Sequence, residues 1–262
     1  MDKMNTMNTM NTQFRSKKSE WAKTISLIVA LLAVTIVIVG LSGCSAASKQ
    51  DAAANEGAAQ RTAGDRQGAV ANSSAPPKSL AKAGEYAENV YDMAKANDWT
   101  NAAAKLGLLK ESTTMLSSEV KGRARLDRLA SGVTTLDKAV AAKNRETAMR
   151  EANQMTLIVA NLTAVYQLAV PIEVTKLDYY GRELEIWSTA KDTKKLQATV
   201  VEMRRTWDAV RPAIVSHKGS AEAKKFDELV AKVEKAKTPD QYAQLATPVL
   251  NEVDNLEKVF HG

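Results

Sequence analysis

From Pro77 to the C-terminus, aliphatic residues recur at alternating spacings of three and four, the period of helices that bury one stripe and leave the rest to solvent. Four such stripes fill residues 77–169. The first runs Leu80, Ala83, Ala87, Val90, Met93 and the second Leu106, Leu109, Thr113, Leu116, Val120. The third is Leu126, Leu129, Val133, Leu136, Val140, and the fourth Ala148, Ala152, Met155, Val159, Leu162, Tyr166. No stretch of strict alternation competes with them, so the pattern predicts an all-α body.

The same pattern returns 94 residues later. Pro77 matches Pro171, each near a helix start, where the N–H that proline lacks has no partner in any case. The first stripe maps onto Val174, Leu177, Gly181, Leu184 and Trp187, with Tyr86 on Tyr180. The second maps onto Leu196, Val200, Met203, Trp207, Val210 and Ile214, and the fourth onto Tyr242, Ala246, Val249, Val253, Leu256 and Phe260. The third stripe is matched only with six further residues of offset, on Phe226, Leu229, Val233 and Ala236. That shift predicts a longer loop near His217 and a shorter turn near Thr238. A register shared by three helices points to an internal duplication, and hence to two tandem four-helix bundles, residues 77–169 and 170–262. Pro171 is expected to kink a nearly continuous fourth-to-fifth helix, giving an elongated and stiff body.

Before Pro77 the pattern disappears. Residues 44–76 are Ala, Ser, Gln, Asn and Gly with hardly a large apolar side chain, too little to offset the entropy of ordering, so they read as a tether. A flexible coil of roughly 35 residues holds its cargo on the order of 30 Å from its attachment point. Residues 1–43 have the layout of a secretory signal: Lys3, Arg15, Lys17, Lys18 and Lys23 in a basic leader, an apolar core from Ile25 to Val39, and a small-residue end. The closing Leu41-Ser42-Gly43-Cys44 resembles the bacterial lipobox. That resemblance implies cleavage before Cys44 and acylation of its thiol and new amino terminus, making the chain a lipoprotein on the extracytoplasmic face of a membrane, an outer one where the organism has it. Cys44 is the only cysteine, so no intramolecular disulfide is open to the chain.

Charge changes the picture little. The leader holds five of the 36 basic residues and two of the 30 acidic ones; without it the balance is 31 against 28, with both signs interspersed. No basic block is interleaved with aromatics, which argues against nucleic acid. Catalytic and metal chemistry find little support either. The two histidines, His217 and His261, stand apart, and no HExxH, ExxH or CxxCH spacing is present. Imelysin-like iron-uptake proteins are similar in being exported duplicated helical bundles, but their GxHxxE motif is missing, so the likeness stops at architecture. Met93, Met155 and Met203 fall on apolar stripes and read as core filling rather than copper ligands.

The most distinctive segment of the body is residues 176–187, KLDYYGRELEIW. Asp178 and Arg182 are four apart and share a helix face, a pair worth a few tenths of a kcal/mol where exposed. Tyr179 and Tyr180 cannot both enter one core, so Tyr179 is expected to point outward or against the neighbouring bundle. The segment resembles uncharacterised bacterial lipoproteins with tandem helical bundles, a likeness that carries no activity. One asymmetry remains: Ala83, Ala102, Thr113 and Ala148 stand where the second half has Leu177, Leu196, Trp207 and Tyr242. The smaller set means either closer helix packing or a cavity for a small apolar ligand beside Thr113. The sequence thus predicts a non-catalytic, cofactor-free envelope module with a protein partner; the alternative is a small-ligand or metal binding protein feeding a transporter or sensor. It leaves the oligomeric state open.

Overall fold

The computed structural model describes residues 75–120 and 123–261, with only the backbone of Arg123. The described residues form eight helices and no β-strand: α1 (Lys78–Lys95), α2 (Trp99–Glu119), α3 (Arg123–Ala141), α4 (Arg145–Thr163), α5 (Ile172–Thr189), α6 (Thr193–Ser216), α7 (Ser220–Lys235) and α8 (Pro239–Lys258). In the first quartet each helix packs on the next and α4 returns to α1; in the second, α8 likewise returns to α5. Each quartet encloses its own apolar cluster, one around Leu80, Leu109, Leu136 and Met155, the other around Leu177, Met203, Trp207 and Phe226.

The turns show why the helices stop where they do. After α1, Asn97 adopts a left-handed φ of 56°, its N–H reaches the Ala94 carbonyl and the Asp98 N–H reaches that of Met93, which satisfies carbonyls the helix end leaves open. Asp98 then caps α2 by accepting from the Asn101 N–H at 3.2 Å. Lys143, Lys191 and Lys218 take the same left-handed conformation in three of the other turns. Asn144, Asp192 and Thr238 repeat the cap on α4, α6 and α8, each such side chain contributing about 1 kcal/mol. Asp98 and Asn144 lie 94 residues before Asp192 and Thr238, so the caps follow the offset of the stripes. Pro77 and Pro171 also keep it, each as the N-cap residue of its helix.

Two expectations are corrected. The third helix does not shift by six residues. Buried Leu129, Leu136 and Ala139 of α3 correspond at an offset of 94 to buried Ala223, Val230 and Val233 of α7. What misleads is an exchange of bulk between facing helices: Gly132 lies under the Met155 side chain, whereas their equivalents are Phe226 and Val249, both in the second core. Nor is the loop near His217 longer. Three residues, 217–219, separate α6 from α7, the same interval as between the end of α2 at Glu119 and the start of α3 at Arg123; the break is displaced because α6 continues through buried Ile214, whereas Val120 is extended.

The junction also differs from the predicted kink. Eight residues, 164–171, separate α4 from α5 outside any helix. They allow α5 to lie alongside α4 rather than prolong it.

Candidate functional site

The segment singled out from the sequence turns out to be a helix buried on two faces. Val174, Leu177, Gly181 and Leu184 of α5 point into the second core, as the stripe requires. A second line, Tyr179, Arg182 and Ile186, is buried as well; Ile186 joins the first core and half-buried Trp187 touches both. A single-stripe reading leaves this second face to solvent. Here it meets the first quartet.

Arg182 is the centre of that contact, with only 5% of its surface exposed. Its Nη2 lies 2.8 Å from Asp178 Oδ2 and 3.8 Å from Glu88 Oε2 on α1, and its guanidinium stands 5.3 Å from the centroid of the Tyr91 ring. Burial alone disfavours the cation, yet Asp178, Glu88 and Asp92 hold its pKa above the usual value. The other nitrogen, Nη1, is buried without a hydrogen-bond partner. One turn further along, the Tyr91 hydroxyl donates to Glu185 at 3.0 Å and Lys95 Nζ lies 2.7 Å from the same carboxylate. Burial, and then the nearby Glu185 charge, push the Tyr91 phenol up, so it stays neutral and a donor. Both Glu88 with Arg182 and Tyr91 with Glu185 are 94 residues apart, so equivalent positions of the two halves meet each other.

On the α4 side, fully buried Asn153 donates through Nδ2 to the Tyr179 carbonyl at 3.1 Å. Through this bond the Tyr179 backbone meets the other quartet, and its buried ring meets that of Tyr180 edge-on at 5.2 Å. The Glu183 carboxylate accepts from Trp187 Nε1 and interacts with the Tyr179 hydroxyl and Asn153. Desolvation pushes its pKa up against those hydrogen bonds. Asp178, Tyr179 and Arg182 are thus brought together, and the arrangement fixes one half upon the other.

Thr113 stands apart from this cluster. It is half-buried, donates its hydroxyl to the Leu109 carbonyl at 2.8 Å, and yields the buried position to its neighbour Ser112. Ala83, Ala102 and Ala148 are fully enclosed, with buried Tyr91 and Met155 supplying bulk in the same core. Among the described residues, one shallow depression lies between α2 and α3, lined by Trp99, Gly107 and Asp137, and another near His217 and Lys258. Thr113 lines neither. Among the described residues no three His, Cys, Asp or Glu side chains converge as a metal site, and no helix is long and apolar enough to cross a membrane. Leu41, Ser42, Gly43 and Cys44, with the signal and tether, lie outside the described residues.

Glu88, Tyr91, Asn153 and Glu185 escaped the sequence reading. Only the 94-residue pairing of Glu88 with Arg182 and Tyr91 with Glu185 held a signal for any of them. Comparison with protein-family models, with curated proteins and with solved structures finds no match to this chain.

Proposed function

We propose that the protein is a lipid-anchored, extracytoplasmic, non-catalytic module of a bacterial envelope that presents a stiff helical surface to a protein partner. The observation that carries this reading is Leu41-Ser42-Gly43-Cys44, which holds the only cysteine and directly follows a basic leader and an apolar core. A cysteine there serves as an acyl attachment point, and several acyl chains give stable membrane attachment without a protein span. The body supports a scaffold role. Its most distinctive charged and aromatic residues, Asp178, Tyr179 and Arg182, are engaged in holding the halves together. Caps repeated at an offset of 94 residues, with bulk exchanged between Gly132–Met155 and Phe226–Val249, support descent of both quartets from one duplicated unit.

The anchor is tested by expressing the full chain in a bacterium that processes lipoproteins and taking the mass of the N-terminal peptide from the membrane fraction. An acylated Cys44 is expected as first residue, and Cys44→Ser is expected to abolish acylation. A mature chain that begins at its initiator Met with a free thiol refutes the reading.

A further inference from the structure

The four connections 96–98, 142–144, 190–192 and 236–238 are each three residues long, so the helices they join run antiparallel and both turns of a quartet fall at one end of it. Trp99, directly after the first turn, and Lys143, within the second, line the same depression. α1 and α5 run side by side in one direction, because Glu88 meets Arg182 at 3.8 Å and Tyr91, a turn further on, meets Glu185 at 3.0 Å. All four turns therefore lie at the same end of the body, opposite the end where α1 begins at Lys78.

The turns share one sequence form. Each begins with alanine and ends on the residue that caps the next helix: Ala96-Asn97-Asp98, Ala142-Lys143-Asn144, Ala190-Lys191-Asp192 and Ala236-Lys237-Thr238. Lys143 and Lys191 hold φ at 53° and 54°, where glycine or asparagine is less strained. With the first three residues of the helices that follow, the turns present six exposed cations, Lys143, Arg145, Lys191, Lys194, Lys195 and Lys237. None of the six forms an ion pair among the described residues. Against them stand exposed Glu146 and Asp240, while Asp98 and Asp192 are half-buried and accept backbone N–H bonds as caps. Beside these charges the depression between α2 and α3, of about 320 Å³, has Trp99, Ala103, Gly107 and Val140 as apolar wall and the Lys110–Asp137 pair, 2.6 Å apart, on its rim. A Cβ on Gly107 meets nothing within 4 Å. In the second quartet the equivalents of Trp99, Ala103 and Gly107 are Thr193, Gln197 and Val201, and Val201 sets an exposed side chain where the first quartet has a recess.

We propose that this end is the docking face for a protein partner, and that the partner brings an acidic segment whose apolar side chain enters the recess beside Trp99. The proposal rests on the reading of the protein as an envelope module with a protein partner, and assigns that partner a place and a chemistry. Cations without ion pairs, spread over both halves, draw in a carboxylate-rich surface, and an apolar recess walled by tryptophan has the makeup of an interface centre. A purely ionic polymer uses the cations and leaves the recess empty, so a protein segment is the occupant that both features fit. The face lies away from the end of the body that the tether joins.

The test is site-specific photo-cross-linking in cells of the source organism. Benzoylphenylalanine is placed in the full chain at exposed Thr100 on the rim of the recess, or at exposed Val201 of the second quartet, and cross-linked peptides are sequenced by mass spectrometry. The adduct at 100 is expected to carry one protein segment in which an apolar residue is flanked by Asp or Glu. Its yield is expected to fall roughly tenfold when Lys143→Glu and Lys191→Glu are combined, and as much in Gly107→Val, which borrows the residue that the second quartet carries there. Far-UV circular dichroism and melting temperature check that both variants stay folded. An adduct at 100 with a neutral or basic segment, a polysaccharide, a lipid or a second copy of this chain overturns the proposal, as does a yield unchanged in either variant. Adducts at 201 with none at 100 reject this site and leave a protein partner in place; silence at both rejects the site and counts against the partner as well.

Discussion

Removing the Asp178–Arg182 pair tests whether the contact between the halves is as dry as its geometry implies. On an exposed helix face, carboxylate and guanidinium four residues apart contribute about 0.3–0.5 kcal/mol. Here the nitrogen and oxygen are 2.8 Å apart, with the Arg182 side chain 7% and the Asp178 side chain 16% exposed. At an effective dielectric constant near 20, charges about 4 Å apart attract by about 4 kcal/mol, part of which offsets the cost of removing them from water. Arg182→Met is therefore expected to cost about 3–5 kcal/mol, because the largely buried Asp178 carboxylate then loses the guanidinium 2.8 Å away. Asp178→Asn is expected to cost less, since Glu88 and Asp92 still attend the guanidinium. A double-mutant cycle of the two substitutions should give a coupling of about 1–3 kcal/mol. The assay is urea unfolding at pH 7 by far-UV circular dichroism, with tryptophan fluorescence as a second probe, because Trp187 touches both cores. A coupling below about 0.5 kcal/mol, the value for an exposed pair, refutes the claim that this pair is shielded from water.

Three further substitutions separate packing from charge. A Cβ at Gly181 stands 2.6 Å from Leu250 Cδ2 and 3.3 Å from Val249 Cγ1, so Gly181→Ala is expected to lower stability by about 1–3 kcal/mol in urea titrations. A Cβ at Gly107 meets nothing within 4 Å, so Gly107→Ala is expected to raise stability by about 0.5–1 kcal/mol through helix propensity alone; a loss there refutes the open-space reading. In the second quartet Asp227 accepts from Arg211 and, at 2.8 Å, from Trp207 Nε1, and these bonds, those of Arg211 foremost, hold its carboxyl below the usual range. Its stabilisation is thus present above the unfolded carboxyl value and disappears as pH falls through the lower folded one. The melting-temperature gap between wild type and Asp227→Asn is expected to narrow between pH 5 and pH 2, and a constant gap contradicts this.

The all-helical class, the helix spacing and the 94-residue repeat were legible in the chain because each is a local, one-dimensional property. A residue that must face a core recurs every turn, and a residue that must cap a helix, such as Asp98 or Thr238, precedes its first turn. The third helix was misread for a reason equally physical. Packing conserves volume across facing helices, so moving bulk from Met155 to Phe226 shifts the visible apolar stripe while the backbone register stays in place.

What the chain by itself determined is therefore the helical class, the repeat and the first buried face of most helices. Only the tertiary structure decided that α5 has a second buried face and that Asp178 and Arg182 form a shielded pair. The reason is that periodicity records how a helix meets its own bundle, whereas the energy of a charge depends on neighbours and water in three dimensions. Glu88 and Tyr91 come within reach of Arg182 only after the helices have folded back on one another.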